Sequence, residues 1–494
     1  MTGNILIKNM NFKYVSMIQP LFKNVNLNID ESWKLGLVGR NGRGKTTLLK
    51  ILLNQLDYEG SIQSTLDFKY FPSYPDISEN LTALGVLLKQ NPHIDIWQIE
   101  RELSYMDLSH DILNKKFNVL SGGEQTKLLL IELFLSENSF PLMDEPTNNL
   151  DLHGRKIVGQ YLKNKKGFII ISHDESFLNQ FIDHVLAINK ESIDVVSGNV
   201  DTWKYEKANA DMLSEEKNAE LITEIKRLND VSRQVSTWGM KKENSTKDAS
   251  ARRMAAKQMK RAKAIEKRTE SMIEEKKSLI NNIEKVSDLK MIVEQPRKQV
   301  LFFRDFSILR NGIPLFEPIN IDVYPNDRFF IEGKNGVGKS TLLNFILGTE
   351  QLETIGEYRI NLPENLSILS LKNQADLDYS SSINQLSTKE EKEEYWHLLY
   401  QLGIERSSFS NKTSKNWSDG QQKKVFLANA LLGKNELFIW DEVTNYLDMF
   451  VINQLIEAIK NYQPTMIGVD HNEYFVNDIA TKNIELTPFF NDFI

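Results

Sequence analysis

The sequence predicts an α/β protein in which two copies of one domain are joined by a long antiparallel helical hairpin. The first observation behind this prediction is a repeat at an offset of 294 residues, which places Pro20-Leu21-Phe22 on Pro314-Leu315-Phe316. The second is that strand-like apolar runs and helical patterns accompany the repeat in both copies. The third is a middle stretch dominated by Lys, Arg, Glu and Ala, a composition typical of long helices. We therefore expect a first domain over residues 1–202, a linker over 203–296 and a second domain over 297–494.

Length and composition exclude several classes of protein. At ~150 residues per domain, 494 residues suffice for about three units with cores of their own. The 60 basic and 67 acidic residues give a net charge of -7, so the chain as a whole is not a polycation that coats nucleic acid. The absence of cysteine excludes disulfides, iron–sulfur clusters, thiolate zinc sites and cysteine nucleophiles. No apolar run approaches the ~18 residues of a membrane span and residues 1–10 lack a signal-peptide pattern, so we expect a cytoplasmic protein without membrane contact.

A phosphate-binding motif occurs once in each copy. Residues 39–46 read Gly-Arg-Asn-Gly-Arg-Gly-Lys-Thr, and the same offset places them without a gap on Gly-Lys-Asn-Gly-Val-Gly-Lys-Ser at 333–340. In this motif backbone amides surround phosphate oxygens, the lysine reaches the outer phosphates and the hydroxyl binds Mg²⁺. Apolar strand-like runs precede both motifs, at residues 35–38 and 329–331, so we interpret both as P-loops. The P-loop residues expected to bind ATP are Gly39, Asn41, Gly42, Gly44, Lys45, Thr46 and Thr47 in the first copy and Gly333, Asn335, Gly336, Gly338, Lys339, Ser340 and Thr341 in the second.

Each P-loop is followed by an apolar run that ends in two carboxylates. These pairs are Asp144-Glu145 and Asp441-Glu442, and both runs read as buried parallel strands. With the hydroxyls of Thr46 and Ser340, Asp144 and Asp441 are expected to hold Mg²⁺. Glu145 and Glu442 are expected to polarise the attacking water. His173 and His471 follow further strand-like runs and are expected to reach the terminal phosphate.

A third motif precedes each carboxylate pair. Ser121-Gly122-Gly123-Glu124-Gln125 lies 23 residues before Asp144, and Ser418-Asp419-Gly420-Gln421 lies 23 residues before Asp441. With these motifs the chain resembles the ATP-binding cassette superfamily, in which a Ser-Gly-Gly-Gln signature begins a helix that caps the nucleotide held by the opposite domain. Two fused cassettes with a helical-hairpin linker and no membrane span resemble the ABC-F branch, ribosome-associated ATPases. Residues 33–45, 140–148 and 439–442 are similar to the Lsa and Vga group of resistance proteins.

The resemblance implies a fold, an activity and partners. The fold would be two P-loop ATP-binding-cassette domains, and the activity Mg²⁺-dependent hydrolysis of ATP to ADP and phosphate. The partners would be the bacterial 70S ribosome, 23S rRNA near the peptidyl-transferase centre and P-site tRNA. The protein would be a monomer whose two cassettes form an intramolecular dimer. It would bind the ribosome in its ATP-bound state and protect it from lincosamides, pleuromutilins and streptogramin A. Hydrolysis of ATP would then release the protein from the ribosome. The further ATP contacts that the resemblance implies are Tyr14, Ser121, Gly122, Gly123, Ser418 and Gly420, and the further Mg²⁺ contact is Gln374.

The sequence departs from the family pattern at several positions. Ser73 stands where the family has a glutamine that contacts Mg²⁺, and Ile308 stands where the first copy has Tyr14. Asp419 replaces a signature glycine, and Val443 replaces a proline. If the sites form between domains, the pocket built on Lys45 is closed by the altered signature. We therefore expect ATP binding at both sites and slow, unequal hydrolysis.

The linker carries a local excess of positive charge. Residues 226–268 contain fourteen basic and four acidic residues, a net of +10. Apolar residues recur every three or four positions, which predicts two antiparallel helices, the first of ~30 residues and ~45 Å, with a tip at residues 237–250. The interleaved aromatic residues and the paired basic residues favour RNA binding. The alternative is that these charges form the solvated face of a coiled coil. The expected RNA contacts are Trp238, Met240, Lys241, Lys242, Arg252, Arg253, Lys260 and Arg261.

Three other functions remain open at this point. A housekeeping ABC-F translation factor is the nearest alternative, because it would have the same motifs and the same linker. An ATPase subunit of a transporter would leave the basic linker unexplained. A DNA-repair ATPase is more remote, since the zinc-binding cysteines of one such family are absent.

Overall fold

The structure of the chain is a computed structural model. It describes residues 3–15, 17, 19–74, 81–136, 138–189, 192–243, 260, 264, 267–269, 272–273, 276, 288–369, 388–404, 419–445 and 447–489. At residues 90, 231–243 and 419–420 only the backbone is described. The chain divides into two compact units, one of Met1–Val200 with Ser287–Ile494 and one of Asp201–Val286. The first unit holds both repeats, which are called the first and second cassette below.

The first cassette combines an antiparallel sheet with a mostly parallel one. Its elements are β1 (Asn4–Phe12), β2 (Phe22–Asp30), β3 (Lys34–Val38), α1 (Lys45–Leu52), β4 (Glu59–Gln63), β5 (Asp67–Phe71), α2 (Ala83–Gln90), α3 (Ile96–Tyr105), α4 (Gly122–Leu135), β6 (Ser139–Asp144), α5 (Leu152–Lys163), β7 (Phe168–Ile171), α6 (Glu175–Leu178), β8 (His184–Ile188) and β9 (Ile193–Ser197). Among the described residues the antiparallel sheet has the order β2-β1-β4, and the larger sheet has the order β5-β6-β7-β3-β8-β9. Of the strand pairs that the structure describes in the larger sheet, β8–β9 is antiparallel and the others are parallel.

The strand order of the larger sheet brings the predicted site residues together. The P-loop follows β3, Asp144 ends β6 and His173 follows β7, and these three strands are neighbours in the order β6-β7-β3. All four residues of β7 are buried, as expected for a parallel strand covered on both faces. Because the carboxyl ends of parallel strands meet at one edge of a sheet, the three motifs meet there.

The second cassette repeats this arrangement. Its elements are β10 (Leu301–Arg310), β11 (Ile313–Pro314), β12 (Ile319–Val323), β13 (Arg328–Gly333), α8 (Lys339–Ile346), β14 (Thr354–Ile360), β15 (Leu366–Leu369), α9 (Lys389–Gln401), α10 (Asp419–Leu432), β16 (Leu437–Asp441), α11 (Met449–Tyr462), β17 (Met466–Val469), α12 (Glu473–Ile479) and β18 (Lys482–Leu486). The parallel sheet has the order β15-β16-β17-β13-β18 in the part of the chain that the structure describes. The strands that end in Asp441, precede His471 and precede the P-loop are again adjacent.

Each P-loop helix is anchored in a hydrophobic core between the two sheets of its cassette. In the first cassette Leu48 and Leu49 of α1 are fully buried in a cluster that includes Ile5 of β1 and Leu142 of β6. In the second cassette Leu342 of α8 lies in the corresponding cluster. Burial of such side chains contributes about 1.5–3 kcal/mol each. The P-loop lysines, which are the first residues of these helices, are therefore attached to rigid elements.

The helix α7 (Val200–Glu243) corrects one prediction about the linker. It has 44 residues, about 66 Å of helix, rather than the ~30 residues expected. Trp238, Met240, Lys241 and Lys242 were expected at a non-helical tip over residues 237–250, but the helix continues through them. Gly239 within the helix costs about 1 kcal/mol relative to alanine, and the helical preference of the surrounding residues offsets this cost.

The second unit contains further helical residues after this helix. Residues 260, 264, 267–269, 272–273 and 276 are helical, and Lys276 forms an ion pair with Glu224 of α7 at 2.6 Å. Ile225 and Ile273 are buried. The expected contacts Arg252, Arg253 and Arg261 lie outside the described residues. None of the helices that the structure describes combines the length and the apolar character that a membrane crossing requires.

Candidate functional site

The two P-loops hold their lysines in the same way. Gly44 and Gly338 begin α1 and α8 in the left-handed conformation, with φ of 94° and 110°, which favours glycine. Lys45 Nζ donates to the Gly39 carbonyl at 2.6 Å, and Lys339 Nζ donates to the Gly333 carbonyl at 2.6 Å. Burial lowers the pKa of both lysines, and acidic neighbours oppose that shift. Each loop therefore presents a buried cation among backbone groups.

In each cassette the hydroxyl after the P-loop lysine contacts the aspartate that ends β6 or β16, two strands away from the P-loop strand. Thr46 Oγ1 donates to Asp144 Oδ2 at 2.9 Å, and Ser340 Oγ donates to Asp441 Oδ2 at 3.3 Å. Tyr70 of β5 also donates to Asp144 Oδ2, at 3.3 Å. These pairs place a hydroxyl and a carboxylate oxygen where the sequence predicts Mg²⁺ ligands. Tyr70 was not anticipated, because nothing in its local pattern marks it.

The two glutamates that follow these aspartates have strained backbones. Glu145 and Glu442 have φ of 50° and 53°, values that non-glycine residues rarely adopt. Such residues concentrate at functional sites, where the surrounding structure enforces the conformation. The amide of Glu145 donates to Ile171 at 2.9 Å, and that of Glu442 donates to Val469 at 2.7 Å, so β7 and β17 enforce it.

The histidines lie beside these glutamates. His173 Nε2 is 3.3 Å from Glu145 Oε1, and His471 Nε2 is 3.7 Å from Glu442 Oε1. Glu145 Oε1 is buried and has no hydrogen-bond partner among the described residues. An oxygen of this kind, beside an imidazole and close to a P-loop, is placed to accept a hydrogen bond from a bound molecule.

Burial controls the protonation of these groups. Burial raises the pKa of Glu145 to about 8, and the neighbouring Asp144 carboxylate adds to the rise. Burial also raises the pKa of Glu442. Burial lowers the pKa of His173 to about 3, with help from Lys45, and lowers the pKa of His471 to about 3, with help from Lys339. Both imidazoles are therefore neutral at pH 7.

The second site draws residues from both cassettes. A cavity of about 600 Å³ is lined by residues 121–124, Lys127 and the loop 148–151 of the first cassette and by Lys334, Asn335, Glu442 and His471 of the second. Ser121 caps α4 by accepting a hydrogen bond from the Glu124 amide at 3.3 Å. The signature Ser121, Gly122 and Gly123 thus faces the P-loop that contains Lys339. We call this pocket the second site and the one built on Lys45 the first site.

Two aspartates that sequence reasoning missed connect the cassettes at these sites. Asp151 Oδ2 accepts a hydrogen bond from the Asn335 amide at 3.0 Å, and Asp448 Oδ2 accepts one from the Asn41 amide at 2.8 Å. Each bond joins one cassette to the P-loop of the other. The repeat contains the signal that would have found them, because both aspartates lie seven residues after the strand-end aspartates Asp144 and Asp441.

The remaining predicted ATP contacts are placed as follows. Tyr14 lies next to the first P-loop, with its hydroxyl 2.9 Å from Thr47 Oγ1. Gly42 and Gly336 have φ of 82° and 83°, and each Cα faces open space. Thr341 lies in α8 and Gly420 in the first turn of α10. Ser418 and Gln374 lie outside the described residues.

A buried pair of residues beside Glu442 and His471 distinguishes the second cassette from the first. Lys423 in α10, with 1% of its surface exposed, donates to the carbonyl of Glu442. Asp470, which precedes His471, accepts two hydrogen bonds from Thr444. At the matching positions the first cassette has the neutral Thr126 and Ser172, so a buried charged pair in one copy replaces a neutral pair in the other.

The raised pKa of Glu145 predicts the pH dependence of stability. An unfolded glutamate releases its proton near 4.5, but the folded protein retains it to about 8, so wild-type stability should fall as pH rises between these values. At ~1.4 kcal/mol per pKa unit, Glu145→Gln should be more stable than wild type by a few kcal/mol at pH 8. The two proteins should converge near pH 4. Urea unfolding midpoints across this range measure the difference.

Glu102→Gln provides a control of opposite sign. Although burial raises the pKa of Glu102, hydrogen bonds from Lys165 and Tyr161, each at 2.6 Å, hold it below its usual value. This variant should be less stable than wild type at pH 7, and the gap should narrow as pH falls below about 4.5. A Glu145→Gln effect of the same size at pH 4 and pH 8 would contradict the raised pKa.

Comparison with known proteins assigns the repeated domains to a family. The family model described as "ABC transporter" matches residues 22–148 and 316–445, which together make up more than half of the chain. The ATP-binding protein Uup of Escherichia coli (strain K12) is 29% identical over 94% of this chain and 77% of its own length. The ribosome protection protein VmlR of Bacillus subtilis (strain 168) is 26% identical over 97% of this chain and 86% of its own length.

A plant relative and a solved structure complete the comparison. ABC transporter F family member 5 of Arabidopsis thaliana is 26% identical over 98% of this chain and 75% of its own length. The archaeal ribosome recycling factor aABCE1, solved in complex with the ribosomal stalk protein aP1, has the same fold, with a TM-score of 0.61 at 17% identity over 97% of this chain and 87% of that one. The predicted resemblance to ABC-F proteins and the predicted fold class are confirmed.

Family membership also decides the activity. Both matched segments contain a complete P-loop and its strand-end aspartate, and Uup and VmlR match this chain over 94% and 97% of its length. The chain therefore belongs to the ABC transporter family, carries two of its ATP-binding domains in tandem, and is an ATPase.

Proposed function

We propose that this ATPase binds the bacterial 70S ribosome and protects its peptidyl-transferase centre from lincosamide, pleuromutilin and streptogramin A antibiotics. The observation that carries the proposal is the similarity to the ribosome protection protein VmlR over 97% of this chain and 86% of that protein. A match of this extent includes the linker as well as both cassettes. The similarity of residues 33–45, 140–148 and 439–442 to the Lsa and Vga group supports the same function.

Magnesium fits the oxygen atoms that each P-loop brings to its aspartate. Thr46 and Asp144 would hold the ion in the first site, and Ser340 and Asp441 in the second. Mg²⁺ prefers oxygen ligands and usually takes several of them from phosphates and water. This agrees with the described residues, among which no three His, Asp or Glu side chains form a metal cluster. When bound, the ion would neutralise charge on the phosphates.

The residues around this position have distinct roles in the proposed hydrolysis. Lys45 and Lys339 bind the outer phosphates, and the P-loop amides surround them. Glu145 and Glu442 orient the attacking water and, in their ionised form, accept its proton. Glu145, with a pKa of about 8, must first release the proton that it holds at pH 7. The imidazoles of His173 and His471, neutral at pH 7, donate a hydrogen bond to the terminal phosphate. Tyr14 stacks on the base in the first site.

Nucleotide binding closes the cassettes in this proposal. The second site is lined by signature residues of one cassette and by the P-loop of the other, so an ATP molecule there contacts both. Asp151 and Asp448 connect the same two regions. ATP binding thus favours the closed pair that binds the ribosome, and hydrolysis removes the contacts and releases the protein. A cytoplasmic monomer suffices, because both cassettes belong to one chain.

The linker is proposed to contact 23S rRNA near the peptidyl-transferase centre, beside P-site tRNA. Of its basic residues, Lys226, Arg227, Lys260, Lys267 and Arg268 are exposed. Exposed cations that displace counterions from RNA phosphates provide binding that weakens with salt. Trp238, Met240, Lys241 and Lys242 are proposed as further contacts, presented from helix α7 rather than from a loop.

Replacement of both glutamates should separate ATP binding from hydrolysis. Glu145→Gln with Glu442→Gln removes both general bases, so turnover should fall at least about 100-fold while ATP binding is retained. Phosphate release and binding of a fluorescent ATP analogue measure the two quantities. Glu390→Gln, a change at an exposed position of α9, serves as a control. Undiminished turnover in the double variant would contradict the assignment of both glutamates.

Drug susceptibility tests the proposed function. In a susceptible bacterium the wild-type protein should raise the inhibitory concentrations of the three drug classes about tenfold, equivalent to ~1.4 kcal/mol of effective affinity. An antibiotic that acts outside the ribosome should be unaffected. The Glu145→Gln, Glu442→Gln protein should cosediment with ribosomes in ATP and remain bound. Ribosome binding without drug protection would indicate a housekeeping factor, and sedimentation with membranes would indicate a transporter subunit; either result contradicts the proposal.

A further inference from the structure

One buried arginine contacts catalytic loops of both cassettes. Arg155 of α5 has 8% of its surface exposed. Its Nη1 donates to Asp174 Oδ2 of the first cassette and to the backbone carbonyl of His471 of the second, both at 2.8 Å. Its Nε donates to the Leu150 carbonyl at 3.3 Å, and its Nη2 donates to the Thr147 carbonyl at 3.4 Å. The guanidinium thus has four acceptors on three separate loops.

These acceptors belong to loops that form both ATP sites. Asp174 directly follows His173, which lies beside Glu145 in the first site. The carbonyl of His471 belongs to a residue that lines the second site. Thr147 and Leu150 lie in the loop that ends at Asp151, whose carboxylate binds the P-loop of the second site. A shift of any one of these loops changes the hydrogen bonds that hold the other two.

Among the described residues the arginine bridge runs in one direction only, and the reverse contact is a hydrogen bond from Asn453 to Glu175 at 3.3 Å. The position of the second cassette that matches Arg155 is Ile452, whose side chain cannot donate a hydrogen bond. The position that matches Asp174 is Asn472, so the anionic partner has been replaced together with the cation. The two copies therefore differ in a complete buried ion pair, which a requirement for packing alone does not explain.

We propose that Arg155 is a positioning residue that couples the two ATP sites by joining the His173 loop to the His471 loop. The proposal rests on the assignment of both pockets as ATP sites. A buried guanidinium cannot lose one of its acceptors without leaving donors unsatisfied, so movement of the His471 loop is opposed unless the Asp174 and Asp151 loops move with it. Nucleotide in one site then changes turnover in the other.

A coupling factor measures this effect. In a Glu145→Gln chain the first site retains ATP without hydrolysing it, and in a Lys45→Ala chain it loses ATP. Only the second site turns over in both chains. We call the ratio of these two turnover numbers the coupling factor, because it measures how nucleotide in the first site changes turnover at the second. Coupling free energies between sites usually correspond to factors of about 5–150.

The test variant is Arg155→Ile combined with Asp174→Asn, which gives the first cassette the residues of the second. Both partners change together because loss of Arg155 alone would leave Asp174 buried and unpaired. We expect this double variant to lower the coupling factor at least about fivefold. The affinity of each site for a fluorescent ATP analogue, measured with the other P-loop lysine replaced by alanine, should stay within about twofold, because Arg155 contacts neither P-loop.

Lys156→Met is the control. Lys156 forms an ion pair with Glu473 of the other cassette at 2.9 Å, and it is more exposed than Arg155. Methionine has a side chain of similar length that cannot form the ion pair, whereas asparagine could still donate to Glu473, as the matching Asn453 donates to Glu175 at 3.3 Å. This control breaks an exposed bond between the cassettes while Arg155 keeps its four acceptors, so the coupling factor should be unchanged. An equal decrease of the coupling factor in the control would show that the interface between the cassettes had loosened in general, and it would overturn the proposal.

A coupling factor near one in otherwise wild-type chains, or one unchanged in a folded Arg155→Ile, Asp174→Asn variant, would overturn the role of Arg155. Failure of the site assignment would look different, because Lys45→Ala and Glu145→Gln would then leave the total turnover of the protein unchanged. Thermal unfolding of each variant confirms that it is folded.

Discussion

The hydrogen bonds that Asp151 and Asp448 accept from P-loop amides of the opposite cassette are the interaction on which the rest of the structure depends. Through these bonds each phosphate-binding loop is held by residues from both halves of the chain. The strand order within a cassette assembles the lysine, the aspartate and the histidine of one site. At the second site the first cassette then adds Ser121, Gly122 and Gly123. In the proposed function, nucleotide in such a pocket changes how the cassettes pack.

The repeat has diverged at buried charges that surround the reacting groups. Arg155 and Asp174 occur in the first cassette only, whereas Lys423 and Asp470 occur in the second only. In each case both members of the pair differ between the copies, as expected if an unpaired buried charge is costly. The two sites consequently have different electrostatic environments behind nearly identical P-loops. The expectation of slow and unequal hydrolysis has a structural basis in this difference, in addition to the altered signature at Asp419.

The local features of the site were predictable from sequence, and its connections between loops were not. The P-loops, Asp144 and Asp441 follow from short patterns whose strand context is visible in the chain. Arg155 gives no such signal, because its acceptor on the second cassette is a backbone carbonyl 316 residues away. Helix α7 continues through Trp238 and Gly239, although a glycine beside polar residues predicts a turn. Residues 405–418 of the second cassette, which include the predicted ATP contact Ser418, lie outside the described residues.

The composite nature of the second site is tested most directly by Ser121→Arg, which fills the cavity from the cassette opposite its P-loop. In a Glu145→Gln chain, where only the second site turns over, this change should lower turnover about 100-fold, since misplacement of a bound substrate by ~1 Å has an effect of that size. In a Lys339→Ala chain, whose second site no longer holds ATP and where only the first site turns over, turnover should stay within about twofold of its value without the change. Loss of turnover in the Lys339→Ala chain alone would show that Ser121 serves the pocket of its own cassette and would contradict the account.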